Sequence, residues 1–572
     1  MRIPYQYDRM AAGGTVVDSS GAKVGSRGVF TYLQNGSCNQ SCMTMQNRYL
    51  SSNAVSRMEV SSGGLALNTT VNYGASIFVR EGGTISSTVI NSNGNVQVSS
   101  GGVAVDTEVN YSGCVYISPG GSASGGNVHS GGRAYAYSDT EIGGFHVSYG
   151  GTLYGQGTNI TFDSTMVSSG GNFSAGQSSG VRVLHTTLGS GASFYCYSGM
   201  NVTHTTVMSS ATLNISSGAK CLDVAVADGG RIVHGVWGHD SDTVVTGSNL
   251  YGSFWTSNGT AVNYVLAGGV SQELYYYASA VSTVLSSGGT QFVSFGAVAQ
   301  HNTIFLYGFQ RVFSSGRSLD AVISSGGSMF AEFFGTAIRT TVGFGAYLYI
   351  SNYGRAVSTE ILPGGTQYVS FGAAVTSTNV SGWQVLSNGC SGMHTTICAG
   401  GYQGIYYACS ASGATVLSGG SLYISRNCSC GGINVSDGGW LGVRDGCKVS
   451  GVSIGRCVMS LGDYSGGTDI FIGSGGTLYV SYLCNLESVT VASGGMCYLN
   501  YTSCGASNAT IGSGASFFIS RYNSASGVLV NSGGYLYVAS GASALAVSST
   551  AGASVIVDSG GYIEYATTEE GE

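Results

Sequence analysis

Fifteen cysteines, eight histidines and 27 acidic residues are the groups in this 572-residue chain whose spacing could mark chemistry. Ten of the cysteines fall between positions 390 and 504. Cys409, Cys428 and Cys447 are 19 residues apart, Cys484 recurs in the same slot, and Cys390 and Cys504 lie near it. A zinc site wants C-x2–4-C pairs that converge with further ligands. Cys38 and Cys42 have that spacing but no partner pair. Three readings of the long spacing stay open: unpaired thiols in a ladder, disulfides between neighbours about 4.8 Å apart, or a metal site. His185 and His204 are also 19 apart, in Leu184-His185-Thr186-Thr187-Leu188 and Thr203-His204-Thr205-Thr206-Val207, and Met393-His394-Thr395-Thr396-Ile397 repeats the context. That is repeat drift. His234, His239, Asp240 and Asp242, near Trp237, form the densest polar group and read as a solvated loop. Clustered carboxylates for acid–base catalysis are lacking because the acidic residues are scattered, and so is the Ca²⁺-binding GGxGxDxUx repeat. The expectation is a protein that is not an enzyme and carries no cofactor or metal.

Those spacings imply an element that returns every 19 residues. The aliphatic residue before a recurrent Ser/Gly cluster falls at Val71, Ile90, Val109, Val128, Val147, Val167, Leu188, Val207, Val226, Val245 and Leu266, and onward to Ile511 and Val530. The interval averages about 19 residues, a period that signals a stacked-repeat architecture. Gly pairs such as Gly131-Gly132, Gly288-Gly289 and Gly475-Gly476 follow the marker, and in many repeats a second pair follows, as in Gly82-Gly83, Gly101-Gly102 and Gly120-Gly121. Between pairs stand runs such as Ser76-Ile77-Phe78-Val79 and Thr477-Leu478-Tyr479-Val480. β-branched and aromatic runs bounded by Gly, Ser and Asn read as short strands and tight turns. Such strands cannot bury a face alone, so equivalent strands of successive coils stack in parallel. The fold class is therefore all-β, a single-chain parallel β-helix with about 19 residues per coil. Helix is excluded, since glycine every few residues would be ruinous to it.

Composition agrees. Glycine supplies 94 residues and proline 3, which excludes collagen; 43% hydrophobic residues and 37 tyrosines exclude a disordered chain. The net charge is −7 and the basic residues are scattered, so no nucleic-acid partner is expected. The N-terminus lacks an apolar signal-peptide region, and no 18-residue apolar run occurs, so no export signal is visible.

Alternation along the four-residue run points Ile77 and Val79 inward and the residue between them outward. That outward column is rich in aromatics: Tyr116, Tyr135, Tyr154, Tyr195, Tyr349, Tyr368, Tyr423, Tyr479, Tyr498 and Tyr537, with Phe78, Phe292, Phe330 and Phe518. It is the candidate binding surface, read either as aromatic stacking that stiffens the fold or as a platform for sugar rings and partner chains.

The repeat SSGGTxxV…GGxAxxTxV, as in Ser286-Ser287-Gly288-Gly289-Thr290-Gln291-Phe292-Val293, resembles the AIDA-type repeat of bacterial autotransporter adhesins. The resemblance covers residues 58–563, between an irregular N-terminal cap with a degenerate coil at 1–57 and an acidic tail at 564–572. It implies a passenger domain on the outer surface of a Gram-negative cell that adheres to host-cell or bacterial glycans and proteins, self-associates and supports biofilm. It also implies a glycosyltransferase partner, with Ser62, Ser100, Ser169, Thr290, Ser325 and Ser418 at matching positions. The chain departs from the family in its 15 cysteines and in showing no membrane barrel after its repeats. An adhesin or autoaggregation stalk is the expected function; a structural fibre or phage-type spike is the alternative.

Overall fold

The computed structural model describes residues 57–566, apart from 61–62, 177–179, 217, 228, 235–243, 247–253 and 258, and also the backbone of four short strands nearer the N-terminus. The residues fall into two compact units, 1–283 and 284–572. Each is a parallel β-solenoid with roughly 19 residues per coil, and no helix occurs among the described residues.

One coil shows the plan. Ser76–Val79 forms a four-residue strand, a turn leads to Thr84–Ser86, and a sharp corner at Ser87 leads to Val89–Ile90. Each strand pairs in parallel with its equivalent in the next coil: Ser76 with Asn95, Thr84 with Val103, Val89 with Glu108. Strand alternation then sorts the side chains. Ile77 and Val79 are fully buried while Phe78 between them is half-buried. Burying each such aliphatic side chain stabilises the fold by about 1.5–3 kcal/mol, and every coil repeats the contribution.

The corners explain the polar and glycine residues. The corner before each two-residue strand is left-handed, with φ of 49° at Asn68, 52° at Ser87 and 50° at Asp106. Short polar side chains tolerate that region because they hydrogen-bond locally. In a Gly-Gly turn the two glycines serve different needs. Gly101 has φ +70°, whereas a Cβ on Gly102 would stand 2.7 Å from the Val79 carbonyl oxygen of the coil before. The turns also bond to one another, Gly82 N–H donating to Gly101 O at 2.9 Å and Gly101 N–H to Gly120 O at 2.8 Å.

The units differ inside. In the first, Phe162 meets Phe173 edge-on at a centroid distance of 5.1 Å in the core, and Phe173 stacks on Phe194 at 4.7 Å. In the second, two short strands merge into Lys448–Ile454, Gly466–Ile472, Asn485–Val491 and Gly505–Ile511, with the left-handed corner kept at Gly451, Asp469, Ser488 and Asn508. The marker series fails at one point. Val245 registers with Cys221 and Ala261 rather than with Val226 and Leu266, because its strand, Val244–Thr246, belongs to the three-residue column. Within 1–57, Val16–Val17 pairs with Thr44–Gln46, Phe30–Leu33 with Arg57–Val60, and Tyr49–Leu50 with Thr70–Val71, all in parallel. The last strand, Tyr562–Tyr565, crosses the 563/564 boundary.

A substitution pair tests the two roles of turn glycine. A Cβ at Gly354 would lie 2.0 Å from the Ala331 carbonyl oxygen, whereas Gly400 has φ +75° and open space around it. Gly354→Ala should cost on the order of 1–3 kcal/mol by forcing the coils apart. Gly400→Ala should cost about 1 kcal/mol of backbone strain alone. Local hydrogen exchange across the adjoining strands reads both; equal losses would show that coil approach is not what limits the second position.

Candidate functional site

The outward aromatic column is broken into runs by what lies one coil above and below each ring. In the first unit Tyr116 stacks on Tyr135 at 5.2 Å and 7°, and Tyr154 meets Tyr135 edge-on at 6.4 Å. The run stops there because the next residue in register is Ser174. Among the described residues Tyr195 has no ring beside it in the column; the next residue in register is Asn214, and Tyr195 lies against Tyr197 of its own coil. In the second unit Phe330, Tyr349 and Tyr368 stack at 4.4 and 5.4 Å, and the run ends against Val385. Tyr479, Tyr498 and Phe518 stack at 5.2 and 4.5 Å, with Tyr537 tilted at the end. Tyr423 lies between Gly404 and Gly442 in register, and the rings of Tyr406 and Trp440 cover those glycines.

Stacking has a chemical consequence. A ring inside a run has its faces covered by its neighbours and offers solvent only an edge and a hydroxyl. A ring at the end of a run keeps a face open. Exposure divides the column: Tyr154, Tyr195, Tyr368 and Tyr479 are 36, 51, 39 and 42% exposed, while Tyr135, Tyr349 and Tyr498 inside runs, and Tyr116 and Tyr537 at run ends, are half-buried. Burial raises the phenol pKa within the runs, at Tyr349 and Tyr498, and together with a hydrogen bond to Cys114 it pushes Tyr116 up to about 12. Tyr537 is raised chiefly by its hydrogen bond to Asp558.

A second aromatic column escaped the reading of the sequence. In the turn after the four-residue strand, Phe334, Tyr353, Tyr464 and Tyr522 occupy the slot that Gly82, Gly101 and Gly120 fill elsewhere. They keep the left-handed backbone, with φ of 67°, 64°, 66° and 69°, and all four are more than half exposed. Bulky residues there cost about 1–2 kcal/mol each. The available signal was an aromatic standing where the repeat demands glycine.

The proposed modification positions divide between two corners. Ser100 crowns the turn after the four-residue strand; Ser169, Ser325 and Ser418 crown the turn before it. All four are exposed, and each faces a glycine of the next coil, Ser100 facing Gly120 and Ser418 facing Gly438. Thr290 is half-buried at a strand start, and Ser62 lies outside the described residues.

Inside the second unit runs a polar ladder whose signal was Gln at a position otherwise aliphatic. Gln384 Nε2 donates to Gln367 Oε1 at 2.7 Å, and Gln403 Nε2 to Gln384 Oε1 at 2.6 Å, all three fully buried. A shorter ladder links Gln310 to Gln291 at 2.5 Å, with Asn302 and Ser318 joining it.

The cysteine slot is a buried column beneath the turn. Cys390, Cys409, Cys428 and Cys447 follow one another coil by coil, Ser465 interrupts, and Cys484 and Cys504 resume. Their sulfurs take different partners along the stack: those of Cys390 and Cys428 donate to the Ser387 and Ser425 carbonyl oxygens at 2.5 and 3.0 Å. Cys409 Sγ accepts the Cys390 N–H at 3.2 Å, Cys447 Sγ accepts that of Cys428 at 3.2 Å, and the Ser465 hydroxyl accepts that of Cys447. Hydrogen bonds from Cys390 and Cys428 draw the Cys409 thiol below its ordinary range, and the same sharing, with burial, pushes Cys390 and Cys428 up. All described cysteines are unpaired thiols. His185 and His204 stack at 4.9 Å on the left-handed corner, and His185 Nδ1 lies 2.8 Å from Asp163, whose carboxyl it holds below the ordinary range. Among the described residues no three His, Cys, Asp or Glu converge on one point. Cys38, Cys42 and the side chains of the His234–Asp242 group lie outside the described residues.

No protein-family model and no curated protein matches the chain. Among solved structures it is similar to a fragment of TibA hyper-glycosylated by TibC, with 25% identity and a TM-score of 0.31, over 60% of this chain and 98% of that one.

Two outcomes follow from this geometry. Tyr116 should ionise near pH 12 rather than near 10, followed by the tyrosinate ultraviolet band in the wild type against Tyr116→Phe. Because the folded pKa lies above the unfolded one, the linked stability is complete below pH 10 and lost as pH rises toward 12. Gln384→Ala strips partners from Gln367 and Gln403 and should cost on the order of 2–4 kcal/mol. Replacing all three glutamines by Met removes every unpaired group together and should cost less than about 1.5 kcal/mol. Hydrogen exchange of strands Thr366–Val369 and Tyr402–Ile405 measures the difference.

Proposed function

We propose that this chain is a non-enzymatic stalk of a bacterial surface adhesin, acting in adhesion or autoaggregation from outside the cell. The AIDA-type repeat, in register over two dozen copies, supports the class. One observation carries the binding role: Tyr154, Tyr368 and Tyr479 end stacked runs, Tyr195 stands outside any run, and all four are exposed. An open aromatic face beside a polar surface suits the apolar face of a pyranose ring, while the phenol hydroxyl reaches its hydroxyls. Rings inside the runs serve stiffness instead. The exposed turn serines Ser100, Ser169, Ser325 and Ser418 support modification by a glycosyltransferase, since each hydroxyl stands clear of the coil body with a glycine as its neighbour.

Beads coated with the chain separate the two roles of the tyrosines. Tyr154→Thr, Tyr195→Thr, Tyr368→Thr and Tyr479→Thr together should reduce glycan binding or bead clumping at least about tenfold, with the coils intact by circular dichroism. Tyr349→Thr with Tyr498→Thr should leave binding within about twofold and lower thermal stability instead. Equal loss of binding in both sets would remove the open-face reading.

A further inference from the structure

One corner of the second unit is cut short. Ile361, Val380 and Ile397 stand in register on three successive coils, and so do the strand starts Thr366, Trp383 and Tyr402. Between marker and strand the outer two coils insert four residues each, 362–365 and 398–401, whereas the middle coil inserts only Ser381 and Gly382. The bonds from turn to turn record the loss. Gly345 N–H donates to Gly364 O, and Gly400 N–H to Gly419 O, both at 3.0 Å. In that direction the Gly364 N–H and the Gly400 carbonyl both face the missing layer, and among the described residues neither has a hydrogen-bond partner. The space between them is open. A Cβ on Gly364 would stand 2.3 Å from the Phe344 ring of the coil before, whereas one on Gly400 would meet nothing within 4 Å. Trp383 leaves the shortened turn at the edge of this slot, 57% exposed, with the Tyr402 ring at 5.2 Å on the next coil.

The slot has the polarity and the height of one amide. Coils rise about 4.8 Å, so the two turns that wall the slot stand about 9.6 Å apart. Subtracting the 3.0 Å turn-to-turn bond from that rise offsets N–H from C=O within a turn residue by about 1.8 Å, which leaves about 7.8 Å between Gly364 N and Gly400 O. Two hydrogen bonds of about 2.9 Å, with about 2.2 Å between the O and N of an amide, span about 8 Å. An amide oxygen there accepts from Gly364, and the amide N–H donates to Gly400. Only two residues are missing, so the opening takes one such group and not a length of strand. The lips, Leu362, Pro363 and Ala399, and the floor, Ser381, are uncharged. Beside them the Trp383 indole offers the surface on which a pyranose packs its C–H face. We propose that this slot binds an N-acetylhexosamine, with the acetamido group entering between the two turns and the sugar ring lying on Trp383. The proposal rests on the glycan-binding reading above, yet it uses none of the four tyrosines assigned there.

The test titrates the full chain with chitotetraose, an oligomer of N-acetylglucosamine, and follows heat and tryptophan emission together. Cellotetraose, with the same ring and linkage but a hydroxyl in place of each acetamido group, is the control. Chitotetraose should bind at least about tenfold more tightly than cellotetraose, because only the acetamido group satisfies both turn groups. Trp383→Ala should weaken it at least about tenfold and remove the emission change. A Pro-Gly insertion between Ser381 and Gly382 restores the turn length of the neighbouring coils and should abolish binding, while hydrogen exchange of Trp383–Leu386 and Tyr402–Ile405 confirms the strands. Chitotetraose binding should survive Tyr154→Thr, Tyr195→Thr, Tyr368→Thr and Tyr479→Thr together, so loss of the tyrosine sites and loss of this one are told apart. Equal affinity for cellotetraose, binding that persists after the insertion, or a wild-type chain that binds no chitotetraose overturns the proposal. So does a chain that takes acetyl-tetraglycine amide in preference to the sugar, which would make the slot a peptide site.

Discussion

Every feature of this chain depends on the in-register hydrogen bonding of each coil to the next. A parallel ladder of this kind fixes the rise from coil to coil at about 4.8 Å and leaves no freedom to slip, because a shift by one residue would turn Ile77 and Val79 outward and Phe78 inward. The turns reinforce the same register. The chain of bonds from Gly82 to Gly101 to Gly120 runs alongside the strands, so corners and strands cannot move independently.

Translation at a fixed rise converts any residue type that recurs into a column, and the column's chemistry depends on its vertical neighbours. A tyrosine between two tyrosines is a structural element with covered faces; a tyrosine beside Ser174 or Val385 is a surface. The same holds for thiols. Hydrogen bonds from Cys390 and Cys428 draw the Cys409 thiol below its ordinary range, whereas burial alone pushes the Cys497 thiol up. Function in such a fold is set less by which residues are present than by where a run of them starts and stops.

The interior carries a polar row that a globular core would rarely hold. Gln367, Gln384 and Gln403 are tolerated because the ladder supplies each amide with a copy of itself at hydrogen-bonding distance. Phe173 and Phe194, in register on neighbouring coils, meet the same repeat distance by ring stacking. Both are solutions to one spacing.

The sequence by itself determined the period, the strand-and-turn alternation, the inward and outward sides and the membership of the tyrosine and cysteine columns. Each of these follows from residue types at fixed intervals, which need no third dimension to be read. It misplaced Val245 because an irregular coil moved a valine from one strand column to another while the count stayed near 19. It overlooked Phe334, Tyr353, Tyr464 and Tyr522, since a left-handed backbone at a bulky residue is held by the neighbouring coils and not by local preference. Only the tertiary structure decided which tyrosines keep an open face, on which corner each serine stands and which partner each sulfur takes. Those are relations between residues 19 positions apart, and they exist only after the coils have stacked.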